Sequence, residues 1–412
     1  MRNACFIIAA MLAGGCLATA ALGQAAEGTS TVAVDPQTQS SPLARSDVFP
    51  IAVWLQRPDN AGRYKDLGVN LYVGLWRGPN EEQLAELRQH GMHLICGQNE
   101  YALTQLDNPM IVAWMHGDEP DNAQPIRGGG GYGPPIDPAR IVEQYRRIKD
   151  RDPSRPVLLN LGQGVAWEGW HGRGVRTNHP EDYPEYVEGC DIASFDIYPA
   201  VHDRPAVAGK LWYVARGVDR LKRWAGDRRS VWNCIECTHI GNAKVKPTPA
   251  QVKAEVWMSI IHGSQGLIYF CHQFEPTPIE AGLLADAEMS AAVKRINEEI
   301  HRLAPAIHSP SVPQGLTVVC EPAAVSPELA AAMETGPVAA VSKRRGNDSY
   351  VFAVRMEDAP ARARFQLRDK FDGEVEVIGE DRELPLEKGK FEDEFAGYAV
   401  HLYRVKGDGN AP

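Results

Sequence analysis

Short runs of β-branched and aromatic residues alternate with longer amphipathic segments between Asp47 and about Pro305. Such runs are typical of buried strands, whereas the longer segments repeat apolar residues at helical spacing. Alternating strands and helices indicate a parallel sheet with crossover helices. Eight strand candidates can be counted, at residues 48–54, 69–75, 93–96, 111–115, 157–160, 192–196, 231–235 and 266–270.

Two helix starts are marked by a capping side chain before a proline, Asp137-Pro138 and Thr248-Pro249. Residues 81–87 and 289–303 are also amphipathic, and a proline-containing stretch at 304–313 ends the pattern. Eight strand–helix units over about 260 residues match the size of a (β/α)8 barrel. The first strand is not followed by the glycine-rich turn of a dinucleotide-binding sheet. The pattern therefore predicts an α/β fold, with a (β/α)8 TIM barrel over residues 47–305.

From residue 314 onwards, apolar and polar residues alternate within short runs that turn residues separate. This period of two is typical of strands with one buried face. We expect a small C-terminal antiparallel β-sandwich domain over residues 312–406. It has no clear strip of aromatic residues, which favours a supporting role over a binding role. Its predicted strands are 316–319, 349–354, 363–367, 374–378 and 398–402.

The N-terminus resembles an export signal, with Arg2 before an apolar core and small residues up to Gly23. We expect a signal peptide over residues 1–23, a disordered leader over 24–46, and no integral membrane segment after cleavage. The predicted location is periplasmic or extracellular. A lipid anchor at Cys16 is the less favoured alternative, because Ala13 occupies a position where such signals usually carry a larger aliphatic residue.

The formal net charge of −10 disfavours nucleic acid and anionic membrane surfaces as partners and fits a neutral or weakly charged substrate. The oligomeric state is left open. The cysteines beyond the signal lie mostly in apolar runs, which predicts buried free thiols. Cys234 and Cys237 lack a second ligand pair at zinc-site spacing, and the histidines show no metal-binding motif. We therefore predict neither a metal nor a cofactor.

Two glutamates follow predicted strands at positions that suit catalysis. Glu119 comes after the fourth strand and Glu236 ends the seventh. Catalytic side chains of (β/α)8 barrels lie at the C-terminal ends of the strands, so both would reach the same mouth. Cleavage of a glycosidic bond requires such a pair, one as proton donor and the other as nucleophile or base. A helix cap or an ion-pair partner is the alternative interpretation for either residue.

This arrangement resembles the clan A (β/α)8-barrel glycoside hydrolases. The resemblance implies that Glu119 is the acid/base, that Glu236 is the nucleophile, and that an oligo- or polysaccharide is cleaved with retention of configuration. That clan usually carries asparagine before the acid/base, where this chain has Asp118.

The Asp118-Glu119 pair is instead similar to substrate-assisted N-acetylhexosaminidases. There the aspartate orients the 2-acetamido group of the substrate as nucleophile and the glutamate is the acid, so Glu236 would not be the nucleophile. A barrel that binds carbohydrate without cleaving it is a third hypothesis.

Polar and aromatic residues after the other strands are candidates for substrate binding, and tryptophan offers a flat apolar face to a sugar ring. Packing within the barrel is the alternative for each of them. Arg173, Arg176 and His179 form a locally basic segment that suggests recognition of an acidic or sulfated sugar. The substrate-binding candidates are Asp118, Gln98, Asn160, Trp167, Trp170, Asp196, Tyr198, His239 and His272.

Overall fold

The computed structural model describes residues 41–43, 45–126, 128–370 and 372–407. The predicted signal peptide, Cys16 and most of the predicted leader lie outside these ranges. Every helix within them is too short or too polar to cross a lipid bilayer.

The predicted barrel is confirmed. Its strands are parallel, and their order around the sheet is β7-β6-β5-β4-β3-β2-β1-β9-β8. β7 and β8 are two halves of the predicted seventh strand, interrupted at Trp232. β7 pairs with β6 and β8 pairs with β9, so this divided strand closes the barrel. The bounds are β1 (Ile51–Trp54), β2 (Leu71–Val73), β3 (His93–Cys96), β4 (Ile111–Met115), β5 (Val157–Leu161), β6 (Ile192–Phe195), β7 (Ser230–Val231), β8 (Asn233–Glu236) and β9 (Leu267–Phe270).

Both predicted helix starts are present, because the Asp137 and Thr248 side chains accept hydrogen bonds from backbone N–H groups of the first turn. The last barrel helix extends beyond the predicted break at residue 304 and includes Pro305, since its apolar face stays buried as far as Ile307. The helices are α1 (Ala61–Asp66), α2 (Glu81–Gln89), α3 (Glu100–Leu103), α4 (Pro138–Arg151), α5 (Tyr183–Tyr186), α6 (Trp212–Ala225), α7 (Pro249–His262), α8 (Gly282–Ala285), α9 (Ala287–Ile307) and α10 (Pro327–Ala332).

Side chains along the barrel strands alternate between two cores, as the period of a strand requires. Trp54, Ile95 and Leu158 fill the barrel interior. Val53 and Leu94 pack in the layer between the strands and the helices. The cysteines in the described residues are free and buried, which confirms the prediction of buried thiols; they are Cys96, Cys190, Cys234, Cys237, Cys271 and Cys320.

The C-terminal part consists of two antiparallel sheets, as predicted, with orders β10-β13-β16 and β11-β12-β17-β14-β15. Phe365, Phe391 and Tyr403 pack between the two sheets. Phe352 on the other face of the larger sheet packs against Trp257 of α7, with ring centroids 5.2 Å apart. The strands are β10 (Leu316–Glu321), β11 (Val338–Arg345), β12 (Asp348–Arg355), β13 (Ala361–Leu367), β14 (Gly373–Val377), β15 (Arg382–Leu386), β16 (Lys390–Phe395) and β17 (Val400–Val405).

Candidate active site

The chain leaves β4 in a turn that fixes the backbone of Glu119. This residue has a φ of 43°, a left-handed conformation that is uncommon for a residue with a side chain and costs on the order of 1 kcal/mol or more. The Glu119 N–H donates to the carbonyl of Asn160 at 3.1 Å, and its own carbonyl accepts from the Asn122 N–H at 3.1 Å. These bonds hold the strained turn and tie the end of β4 to the end of β5.

Asp118 lies beside Glu119 and is held by a side chain of the next strand. The Asn160 side-chain amide donates to Asp118 Oδ1 at 3.0 Å, and Asn160 Oδ1 accepts from the Ser194 hydroxyl at 2.8 Å. Asn160 and Ser194 are buried, whereas Asp118 is exposed at the mouth. The structure therefore presents an exposed carboxylate on a buried polar support built from β5 and β6.

Asp196, directly after β6, is a third carboxylate at the same place. Burial raises its pKa to about 6, although hydrogen-bonding interactions with Glu119 and Tyr198 oppose that shift. Its Oδ1 atom has no hydrogen-bond partner in the part of the chain that the structure describes. Tyr198 packs on Phe270 of β9, with ring centroids 5.2 Å apart. Asp118, Glu119, Asp196 and Tyr198 thus form one cluster, which we call the carboxylate cluster.

The cluster favours the protonated form of Glu119. Burial raises its pKa well above the ordinary value, and the charges of Asp196 and Asp118 raise it further. The protein atoms around Asp118 also desolvate it and raise its pKa to about 7, although the carboxylate reaches solvent at the mouth; the hydrogen bond from Asn160 opposes this shift. A protonated carboxyl beside an oriented carboxylate can donate a proton to a leaving group while the second group acts as a hydrogen-bond acceptor.

Glu236 occupies a different environment at the end of β8. Its side chain is fully buried, and its two oxygens accept hydrogen bonds from the backbone N–H groups of Ala200 at 2.6 Å and Val201 at 3.0 Å. Burial raises its pKa to about 7, and interactions with Glu255 of α7 and the two N–H groups oppose the shift. Glu236 therefore holds the loop after β6 to β8 in this structure.

Trp167 and Trp170 lie in the loop after β5 and contact each other, with ring centroids 6.2 Å apart. Trp170 is nearly buried, and its indole N–H donates to Asn122 Oδ1 at 2.9 Å. Trp167 is half-buried and packs edge-to-face on His202, at 5.6 Å between ring centroids. The two tryptophans form an aromatic wall joined to the turn that carries Glu119.

The remaining predicted binding residues make contacts outside the carboxylate cluster. The Gln98 side-chain amide donates to the carbonyl of Ile148 in α4 at 3.1 Å. His239 contacts carbonyls of its own loop, those of Asn242 and Val245. His272 lies at the mouth beyond Phe270 and contacts the carbonyl of Trp54 at 3.2 Å.

The basic residues of the segment after β5 contact acidic residues of the same segment. Arg173 is buried and pairs with Asp182 at 2.6 Å, and Arg176 pairs with the same carboxylate. His179 contacts Glu181 at 2.6 Å. These ion pairs reduce the positive charge that an acidic sugar would meet, so the contacts of this segment do not support the expected acidic-sugar site.

Three supporting residues were not identified from the sequence. Ser194 has a signal, since it lies two residues before Asp196 and so on the same face of the strand. Gly162 lies so close to the cluster that a Cβ there would be 2.9 Å from Glu119 Oε1. Asp121 is buried and accepts from the Gly162 N–H and the Tyr183 hydroxyl, both at 2.9 Å. Gly162 and Asp121 reach the cluster only through the path that their loops take in the folded chain, so the sequence carries no signal for either of them.

Within the described ranges, no three histidine, cysteine or acidic side chains converge in a way that could hold a metal ion.

Comparison with known proteins finds similarity only in structure. No protein-family profile and no curated protein matches the sequence. An alpha-amylase from Geobacillus thermoleovorans, solved with acarbose, aligns over 88% of this chain and 99% of its own, with a TM-score of 0.51 and 11% identity. A maltogenic alpha-amylase from Thermotoga neapolitana aligns over 88% and 99%, with a TM-score of 0.52 and 6% identity.

A candidate alpha-galactosidase from Bacteroides fragilis aligns over 87% of this chain and 80% of its own, with a TM-score of 0.52 and 10% identity. At such low identities these similarities show the fold, a (β/α)8 barrel followed by a β-domain. The similarities do not extend to function, which depends on the residues of the carboxylate cluster.

Proposed function

We propose that this protein is a glycoside hydrolase that cleaves a 2-acetamido sugar by substrate assistance, with Glu119 as proton donor and Asp118 as the orienting carboxylate. The observation that carries the proposal is the contrast between Asp118 and Glu236. Asp118 is exposed beside Glu119 and oriented by Asn160. Glu236 is fully buried, with a backbone N–H on each oxygen.

In the first step, Glu119 donates its proton to the glycosidic oxygen as the bond to the anomeric carbon breaks. The carbonyl oxygen of the substrate's acetamido group forms a bond to that carbon and gives a cyclic oxazolinium ion. Asp118 accepts a hydrogen bond from the acetamido N–H, so its negative charge stabilises the positive charge that develops.

In the second step, the Glu119 carboxylate removes a proton from water as the water oxygen attacks the anomeric carbon. The oxazolinium ring opens, the acetamido group is restored, and Glu119 regains its proton. Two displacements at one carbon give overall retention of configuration.

The other predicted contacts are assigned by their position. We propose that the free Oδ1 of Asp196 accepts from a sugar hydroxyl, because a buried acceptor without a partner is costly until a ligand fills it. Tyr198 lines the same side of the site, and Trp167 offers an apolar face. The signal-like N-terminus supports a periplasmic or extracellular location for this activity.

A double displacement with Glu236, in place of the acetamido group, as nucleophile is the second candidate. Its support is topological, because Glu236 ends β8 at the same mouth of the barrel to which β4 leads. It would require one oxygen of this fully buried carboxylate, which now accepts a backbone hydrogen bond, to reach a sugar carbon. The substrate-assisted mechanism uses the observed side-chain positions and needs no such rearrangement.

The test uses pairs of aryl glycosides that differ only in a 2-acetamido or a 2-hydroxyl group. We expect hydrolysis of the acetamido member alone. Asp118→Ala and Glu119→Ala should each lower kcat by about 100-fold or more, since each removes a group that acts in the transition state. Glu236→Gln should retain catalysis within about tenfold.

Loss of activity in Glu236→Gln, with recovery of an α-azide product from Glu236→Ala in sodium azide, would instead establish Glu236 as the nucleophile. Absence of hydrolysis across the aryl-glycoside pairs would favour the non-catalytic carbohydrate-binding hypothesis.

A further inference from the structure

We propose that a second carbohydrate subsite lies in the cleft after β1, β2 and β9, where Trp76 stacks on an uncharged pyranose ring remote from the scissile bond. This inference deepens the proposed function and rests on it for the identity of the reaction. The cleft encloses about 730 Å³ and includes Leu55, Trp76 and His272 in its lining. That volume lies in the range typical of small-molecule sites.

Trp76 differs from every other tryptophan in the protein. The chain has nine tryptophans, all within the described residues, and Trp76 alone is exposed, at 55% of its surface. Exposure of a large aromatic ring within a concave site is a common signature of ligand binding. A flat indole face suits the C–H face of a sugar ring and has few torsions to restrict on binding.

The loop that carries Trp76 is rigidly built. The Gln83 side chain donates to the Trp76 carbonyl at 3.1 Å and accepts from the Asn80 N–H at 3.2 Å. The Gln83 side chain packs closely over Gly78, where a Cβ would lie 1.9 Å from Gln83 Oε1. The Arg77 guanidinium lies over the indole at 5.9 Å from its centroid. The ring is therefore positioned before any ligand arrives, which reduces the entropic cost of binding.

The opposite walls of the cleft are also fixed to each other. The Arg57 N–H donates to Glu280 Oε1 at 2.6 Å. The buried Gln56 amide contacts His272 Nε2 and the Glu280 carbonyl, both at 3.1 Å. These bonds join the loop after β1 to the loop after β9. The cleft is thus preformed on three sides by segments that follow three adjacent strands.

The polar groups of the lining select the charge of the ligand. Glu82, Glu86 and Glu280 contribute acceptors to the cleft. Carboxylates accept hydrogen bonds from sugar hydroxyls and repel anionic sugars. The lining also contains Arg57, which pairs with Asp59 at 2.5 Å. The balance is acidic, so an uncharged ring is the expected ligand.

Aromatic rings connect the cleft to the carboxylate cluster. His272 lies 5.3 Å from Phe270, and Phe270 lies 5.2 Å from Tyr198, measured between ring centroids. An oligosaccharide lying along this row would place one ring at Glu119 and a distant ring at Trp76. The subsite therefore predicts a preference for oligosaccharides over single sugars.

The test measures binding by calorimetry in the full chain carrying Glu119→Gln, so that hydrolysis does not consume the ligand. The probes are N-acetylchitotetraose and cellotetraose, with tetragalacturonate as an anionic probe. Adding Trp76→Ala should weaken binding of a neutral tetrasaccharide about tenfold, and Trp76→Phe should weaken it less. Val319→Ala, which changes an exposed apolar residue of the C-terminal sheet, should have no effect.

Unchanged affinity in Trp76→Ala, or no binding of either neutral probe, would overturn the subsite. Binding of tetragalacturonate as tight as that of cellotetraose would overturn the uncharged specificity. Trp76→Ala in the otherwise unaltered chain should hydrolyse aryl 2-acetamido glycosides within about twofold of the original rate, since these substrates do not reach the cleft. If the unaltered chain does not hydrolyse aryl 2-acetamido glycosides, the proposed function is contradicted. The calorimetric comparison of Trp76→Ala then still decides whether the subsite exists.

Discussion

Asn160 donates its side-chain amide to Asp118 at 3.0 Å while its own oxygen is held by Ser194 at 2.8 Å. The hydrogen bond from Ser194 of β6 therefore fixes the orientation of the Asn160 amide. This amide in turn orients the exposed Asp118 carboxylate beside Glu119. In the proposed mechanism Asp118 must meet one N–H of the substrate, so its orientation matters as much as its charge.

Replacement of Asn160 tests this positioning. We expect Asn160→Ala to lower kcat on an aryl 2-acetamido glycoside by about 100-fold, because a misoriented carboxylate no longer meets the acetamido N–H. Ser194→Ala should have a smaller effect in the same direction, since Asn160 keeps its bond to Asp118. Thermal unfolding of both variants separates this effect from loss of fold. Full activity in a folded Asn160→Ala variant would show that Asp118 needs no such support.

The pH profile of kcat/KM should be bell-shaped and displaced above the range of ordinary carboxyl groups. Glu119 must be protonated, so activity falls as pH rises through its raised pKa; Asp118 must be ionised, so activity falls as pH drops through its pKa of about 7. The two limbs report the coupled cluster rather than single residues.

Asn160→Ala should move the acid limb to higher pH, because the Asn160 hydrogen bond lowers the pKa of Asp118. A profile whose acid limb is unchanged in that variant would argue against Asp118 as the ionised partner. Rates are measured from pH 4 to pH 9.5, roughly the interval in which these groups titrate.

Gly162 provides a steric test of the position of Glu119. A Cβ at Gly162 would lie 2.9 Å from Glu119 Oε1 and 2.9 Å from Asn122 Nδ2, so Gly162→Ala must displace the side chains that fix this turn, Glu119 among them. We expect kcat to fall about tenfold or more while KM changes little. Gly97→Ala is the matched control after β3, because nothing lies within 4 Å of a Cβ there. Equal rates for the two variants would place the working conformation of Glu119 elsewhere.

Glu236 and Glu255 form a buried acidic pair, and burial together with Glu236 raises the pKa of Glu255 well above its usual value. The pKa values of both residues are higher in the folded chain than in the unfolded chain, so the folded state binds more protons. The pair therefore lowers the free energy of unfolding as pH rises through the unfolded pKa, about 4.3. Glu255→Gln should reduce the loss of unfolding free energy between pH 4.5 and pH 7.5, measured in urea. Glu374→Gln, at an exposed position, is the control. An unchanged pH dependence in Glu255→Gln would contradict the raised pKa.

The sequence pattern was sufficient for the barrel because hydrophobic periodicity and proline-marked helix starts are local signals. β4 and the start of α4 were predicted at the residues where they occur. The break at Trp232 and the strands β11, β15 and β16 were not, because pairing partners decide them.

The candidate site was only partly predictable for the same reason. Glu119 and Asp118 were identified because they follow a strand end. The environment of Glu236 was not, because it depends on two N–H groups 35 and 36 residues away in the chain. The ion pairs of the basic segment were not predictable, because the charges in the sequence do not reveal that Arg173 pairs with Asp182.

The most direct test of substrate assistance is the rate of hydrolysis of aryl glycosides whose 2-acetamido group carries zero, one, two or three fluorine atoms. Fluorine withdraws electrons from the carbonyl oxygen, which is the nucleophile in the proposed mechanism. If the acetamido oxygen is the nucleophile, kcat/KM falls steeply with each fluorine, by several orders of magnitude (about 10²–10⁴ in total) across the series. Rates that stay constant across the series would contradict substrate assistance and indicate that a side chain of the protein is the nucleophile.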